Sequence, residues 1–218
     1  AVIGSGVAGL TAARNLTLCG HKVTLFEKHG KPGGILNQGI PEFRLPREII
    51  DREIAQITGL GVEVVCNTAI GRNLSIADLV RDHDSVIMAA GTLMPNLLNL
   101  PGHDLPGIRH GLDFLLEVNE TGAADIGERV IVIGGGFTAM DCARTAKRLG
   151  VQTAEVDEGW NLKVLYRRTK DEMRITPGEL EELAFEGVPI TNVVVVSFDA
   201  LRADALGPYL EDRFGIIV

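Results

Sequence analysis

The stretch Ile131–Met140, "IVIGGGFTAM", sets the fold. An apolar, β-branched run enters three closely spaced glycines and then a segment with helical character. A strand that turns on glycines into a helix leaves free backbone N–H groups at the helix start, which suits a phosphate. The same arrangement opens the chain, in "AVIGSGVAGL" at positions 1–10. One dinucleotide requires one such cradle, so two imply that something passes between two nucleotides.

Around each cradle the sequence alternates strand and helix. Residues 1–27 read as strand, glycine turn, helix and strand ("KVTLFE", 22–27), with Leu10, Ala13 and Leu16 forming an apolar helical stripe that Gly20 ends. A glycine- and proline-rich stretch follows at 28–46. It is too irregular for an element and too long for an idle connection, which is the mark of a functional loop. A helix at about 46–57, a strand at 62–66, a helix at 74–82 and a strand at 85–91 come next. "LPGHDLPGIRH" (100–110) reads as a linker. "RVIVIGG" (129–135) opens the second unit. Its helix runs from about Phe137 to Leu149, a strand follows at 162–168, a helix at 176–187 with Pro177 near its start, and a buried strand, "VVVVSF", at 193–198. Repeated βα alternation predicts an α/β protein with parallel sheets.

The 218 residues suffice for one large or two small domains, and 45% apolar content allows real cores. No apolar run reaches the ~18 residues of a membrane span, and no signal peptide is visible, so a soluble protein is expected. A net charge of −8 with no basic patch leaves no footprint for nucleic acid. The three cysteines, Cys19, Cys66 and Cys142, form no C-x-x-C pair, and a reducing, cytoplasmic setting is expected. The first residue is not Met and the chain starts inside a strand, so an upstream segment is expected.

The first cradle is Gly4-Ser5-Gly6-Val7-Ala8-Gly9, the G-x-G-x-x-G form. Its first glycine permits the tight turn, its second lets backbone approach a pyrophosphate, and its third allows helix and strand to pack closely. At the end of the next strand stands Glu27, followed by Lys28, where a carboxylate accepts hydrogen bonds from ribose hydroxyls. The second cradle is Gly134-Gly135-Gly136-Phe137-Thr138-Ala139, the G-x-G-x-x-A form. Its following strand ends in Arg167 and Arg168 instead of an acid. A guanidinium can hold a ribose 2′-phosphate that a carboxylate would repel, so NADPH is expected there, and FAD or NAD in the first site. No serine–histidine or cysteine–histidine pair suggests a covalent catalyst. Hydride transfer needs none, because positioning does most of the work.

With "GSGVAGLTAARNL" (4–16), "KPGGILNQGIPEFRLPREIIDREI" (31–54), "VIMAAGT" (86–92) and "VIGGGFTAMDCARTAKRLG…VLYRRTKDEM" (132–173) on the page, the chain resembles the small (beta) subunit of NADPH-dependent glutamate synthase. Its relatives include the flavin arm of dihydropyrimidine dehydrogenase and the NADPH-binding subunit of bifurcating ferredoxin–NADP reductases. The resemblance spans about residues 1–190. It implies two Rossmann-like dinucleotide-binding folds, with FAD in the first and NADPH in the second. It also implies electrons leaving for 4Fe–4S clusters on a further segment or a partner, and a larger catalytic or iron–sulfur subunit as partner. It places Gly33, Gly34 and Leu36 along the flavin, gives Arg44 a part in holding the cofactor, and brings the strand end Ala90-Gly91-Thr92 to FAD.

On this basis residues 1–99 are the N-terminal part of the FAD-binding domain, 100–127 connect, 128–190 bind NADPH, and 191–218 are a tail of strand plus helix. The chain departs from the family pattern in four places. Val7 replaces a proline and Phe137 replaces an asparagine. The cysteine-rich segment that the resemblance places upstream, and the second half of the FAD fold with its G-D motif, are not among residues 1–218, so the first fold is expected to be incomplete within them. Two alternatives stay open: a nucleotide-binding fragment, inactive alone, that docks on a larger subunit; and the start of a metal-dependent hydrolase. The latter rests on "TNVVVVSFDALRADALGPY" (191–209), which resembles the opening of sulfatases, with Asp199 as a metal ligand. One carboxylate does not make a metal site.

Overall fold

Each glycine turn lies at the end of a short parallel strand in the interior of its own sheet. The computed structural model describes residues 1–92, 107–127, 129–150, 162–166, 172–192 and 214–217. The chain divides into two units, Ala1–Met94 and Pro95–Val218.

In the first unit the elements are β1 (Val2–Ile3), α1 (Val7–Leu18), β2 (Thr24–Phe26), α2 (Ile35–Gln38), α3 (Arg47–Thr58), β3 (Glu63–Val65), α4 (Ile76–Asp82) and β4 (Ile87–Met88). The four strands form a parallel sheet in the order β3-β2-β1-β4. Successive side chains of a strand face opposite sides of a sheet, and the core divides accordingly. Val2 and Leu25 pack with Leu10 and Ala13 of α1 and with Ile50 and Ile54 of α3. Ile3 and Phe26 pack with Leu79 of α4 on the other face. Ser75 and Asp78 form a capping box at the start of α4, which satisfies N–H groups that a helix end leaves unpaired.

In the second unit the elements are β5 (Ile108–Arg109), α5 (Gly111–Thr121), β6 (Arg129–Ile133), α6 (Phe137–Arg148), β7 (Leu162–Tyr166), α7 (Pro177–Phe185), β8 (Ile190–Asn192) and β9 (Phe214–Ile217). They form a five-stranded sheet in the order β5-β9-β6-β7-β8, with every pairing parallel. Its β8-β7-β6-β9 portion repeats the order of the first sheet. α6 is the central helix: residues 139–146 are all buried. Phe114 and Leu115 of α5, Val130 and Val132 of β6, Val164 of β7 and Leu183 of α7 complete this core.

The expected connecting segment is therefore partly structural. β5 and α5 belong to the second sheet and its core, because Phe114, Leu115 and Val118 recur at helical spacing and find an apolar partner in α6. The irregular loop at 28–46 contains one helical turn, α2. The tail supplies β9, inserted between β5 and β6. The expected strand at 193–198, Asp199 and the tail helix lie outside the described residues.

Candidate functional site

The first cradle is built where β1 meets α1. Gly4 takes φ +96°, and a Cβ there would stand 2.4 Å from the carbonyl oxygen of Ala89. The end of β4 thus presses on the turn. A Cβ on Gly9 would stand 1.8 Å from the Gly4 carbonyl oxygen, so helix and strand close only around a glycine. At Gly6, in contrast, a Cβ would meet nothing within 4 Å. Gly6 is the N-cap of α1. No side chain caps that helix and no acid stands in its first turn. Open space, free amides and the positive end of a helix dipole meet at one point, so the residues present fit the pyrophosphate of a dinucleotide.

Glu27 follows β2 and is 4% exposed. Its Oε2 accepts the Ser5 backbone N–H (3.1 Å) and the Ser5 hydroxyl, and its Oε1 accepts the His29 N–H at 2.9 Å. Ser5 is fully buried. Its hydroxyl (3.1 Å) and its carbonyl (3.0 Å) both accept the N–H of Gly33. The glycine–proline loop is thereby fastened to the cradle. Next along, Gly34 (φ +55°) lies against the Gly6 Cα. Leu36 is half-buried against the Val2–Leu10 core. From the start of α3, Arg47 donates to the carbonyls of Leu36 (2.7 Å) and Ile40 (2.8 Å). Burial pushes the Arg47 guanidinium down from its ordinary value, against the raising influence of Glu42 and Asp51. It stays a cation nonetheless, as arginine does in proteins.

The structure therefore brings together Gly4, Ser5, Gly6, Gly9, Glu27, Gly33 and Gly34, with Ala89 and Ala90 against Gly4. Ala90, Gly91 and Thr92 are exposed, as are Val7, Ala8 and Lys28; Arg44 is half-buried. Arg47, which the sequence does not single out, stands in the same "FRLPR" run as Arg44. The signal that separates them is Pro46, which caps α3 and puts Arg47 in its first turn. Cys66, at the end of β3, has its thiol pushed up by burial and by the Glu27 charge. Burial pushes the Cys142 thiol up much further, and the thiol donates to the Gly111 carbonyl. A buried thiol with a raised pKa is not a nucleophile.

The second cradle repeats the local design. Gly134 takes φ +150°, and a Cβ there would lie 3.1 Å from the Cβ of Ala139, the alanine of its motif. A Cβ on Gly136 would meet nothing within 4 Å. Gly136 is the N-cap of α6, with no side-chain cap and no acid in the first turn. Gly135 is buried, and Thr138 is exposed. Phe137 opens the helix and is 46% exposed beside the turn. These residues also fit a pyrophosphate. Arg167 and Arg168, which follow β7 in the sequence, lie outside the described residues.

Among the described residues, no group of three or more His, Cys, Asp or Glu side chains could hold a metal ion. No described helix is long and apolar enough to cross a membrane.

Two parallel sheets of one strand order, each with an uncapped helix behind a glycine turn, define a dinucleotide-binding α/β protein. The chain belongs to the pyridine nucleotide-disulphide oxidoreductase family, whose model matches residues 1–199. It is 39% identical over 194 residues to the glutamate synthase [NADPH] small chain of Halomonas elongata, covering 84% of this chain and 39% of that protein. It is 35% identical over 193 residues to the NADPH-Fe(3+) oxidoreductase subunit beta of Geobacter sulfurreducens, covering 86% of this chain and 28% of that one. Mycobacterium tuberculosis FprA in complex with NADPH has the same fold, with TM-score 0.69 and 23% identity over all of this chain and 58% of that one. The chain spans less than half the length of the curated relatives it matches.

Proposed function

We propose that this chain is the nucleotide-binding part of a FAD-dependent NADPH oxidoreductase of the glutamate synthase small-chain type. The observation that carries the proposal is the contrast between two otherwise matching cradles. The first is completed by the buried carboxylate of Glu27 and by a loop fastened at Ser5. The second lies before a strand that leads to two arginines.

In this reading Gly4–Gly9, with Glu27, Gly33 and Gly34, holds FAD. Gly134–Ala139, with Arg167 and Arg168, holds NADPH. A bound flavin would take up hydride from NADPH and release electrons singly to 4Fe–4S centres on a partner or a further segment. The chain's own contribution is positional. The first-turn amides of α1 and α6 fix the two pyrophosphates. Gly6 and Gly136 leave room for them. Glu27 orients a ribose, and the two arginines favour a 2′-phosphate over a bare hydroxyl. The names of the curated relatives include a small chain and a beta subunit, which supports a larger partner.

The test is anaerobic mixing of the FAD-loaded protein with NADPH. Loss of the oxidised flavin's visible absorption is expected. A spectrum that NADPH leaves unchanged overturns the assignment.

A further inference from the structure

The carboxylate of Glu27 is already largely engaged before any ligand arrives. A carboxylate has about four lone-pair positions for hydrogen bonds. Oε2 accepts two donors, both from Ser5: the backbone N–H at 3.1 Å and the hydroxyl. Oε1 accepts one, the His29 N–H at 2.9 Å. One position remains, on Oε1. The cis-diol of a ribose offers two hydroxyls.

We infer that Ser5 divides the Glu27 carboxylate into a structural oxygen and a ligand oxygen, so that this site reads one ribose hydroxyl of the adenosine half and is indifferent to the other. The inference rests on the reading of the first cradle as the FAD site, and it deepens that reading. Ser5 is a positioning residue in it. Its hydroxyl donates to Oε2 while accepting from the Gly33 N–H, so the side chain points inward and cannot serve as a direct ligand to the pyrophosphate. Its burial is complete, so water does not compete for Oε2. The donation also orients the carboxylate, because rotating Glu27 to offer both oxygens to a diol would break both Ser5 bonds. A buried charged acceptor gives up such bonds only at substantial cost.

The experiment is displacement of FAD by ADP, 2′-deoxy-ADP and 3′-deoxy-ADP, read as recovery of flavin fluorescence. Displacement of FAD reports the first site alone, whatever else the nucleotides bind. For the wild type, one deoxy analogue should displace FAD about tenfold or more less effectively than ADP, the usual scale for a hydrogen bond to a charged group, and the other should match ADP within about twofold. In Ser5→Ala the freed position on Oε2 takes the second hydroxyl, and the formerly indifferent analogue should fall behind ADP as well.

Equal losses for both deoxy analogues in the wild type overturn the inference and leave the FAD reading standing. Two analogues that both match ADP overturn the ribose role of Glu27 and the inference with it. An unchanged pattern in Ser5→Ala overturns the part given to Ser5. If that variant fails to fold, the wild-type pattern alone decides. A wild-type protein that takes up no FAD overturns the functional proposal itself.

Discussion

Gly34 stands against Gly6: a Cβ on Gly34 would lie 2.7 Å from the Gly6 Cα, and Gly34 itself has φ +55°. The loop and the phosphate turn therefore touch backbone to backbone, with glycine on both sides. Gly33 adds a hydrogen bond to Ser5 next to this contact, so the loop is part of the cradle's wall before a cofactor binds.

Gly34→Ala tests that contact. Alanine is strained at this φ and meets backbone that has no flexible end to move. A loss of about 1–3 kcal/mol in urea unfolding is expected, together with weaker FAD binding. Unchanged stability and unchanged FAD affinity would refute the contact.

Arg47 fastens the far side of the loop. Arg47→Ala removes both donors from the carbonyls of Leu36 and Ile40, at a cost of about 1–3 kcal/mol. Amide exchange at Gly39 and Ile40 should accelerate, because both amides donate within the α2 turn that Arg47 secures. Arg47→Lys should restore only part of this protection, since an ammonium lacks the planar fork. Exchange rates that neither substitution alters would contradict the clamp.

Replacing Arg167 and Arg168 together by Ala bears on the second nucleotide. NADPH affinity should drop by about tenfold or more while NADH affinity changes little, the scale expected for charge-assisted bonds to a phosphate. Calorimetric titration with each nucleotide gives the ratio. An unchanged ratio rules out a role for these arginines at the 2′-phosphate.

Acid should weaken the second unit through Glu186. Burial raises its pKa, but hydrogen bonds from Arg148 and Arg144 outweigh this and hold the carboxyl below its usual range. Arg144 is buried and donates to Glu186 at 2.8 Å, and Arg148 donates at 2.9 Å. A depressed folded pKa contributes stability in full above the unfolded value of about 4.3. That contribution is lost as pH falls from there through the lower folded value. Glu186→Gln should flatten this part of the stability–pH curve and cost about 1 kcal/mol at neutral pH, since Arg148 is partly exposed and screened. Denaturant unfolding across acidic pH supplies the curve. A wild-type curve as flat as the variant's would contradict it.

The glycine turns, the strands before them and the helices after them were legible because each glycine answers a local steric demand: Gly9 against the Gly4 carbonyl, Gly134 against Ala139. Glu27 was legible from its place at the end of β2. What the carboxylate touches was not. Ser5 lies 22 residues away, and nothing in "GSG" tells whether its hydroxyl turns toward a phosphate or inward. β5 lies in the stretch 100–110 that reads as a linker, and α5 in the connecting segment 100–127, because prolines and glycines before a two-residue strand draw attention from the helical spacing of Phe114, Leu115 and Val118. β9 was missed because its four residues gain meaning only by pairing with β6. Arg47 escaped notice because its partners are backbone carbonyls, which carry no sequence signature.

The central claim is that the two cradles hold two different nucleotides at once. The most direct measurement is calorimetric titration of the protein with FAD, then of the FAD-loaded protein with NADPH. The account predicts one FAD and one NADPH per chain, with NADPH binding undiminished by FAD. Displacement of one nucleotide by the other, or a chain that binds only one of them, would contradict it.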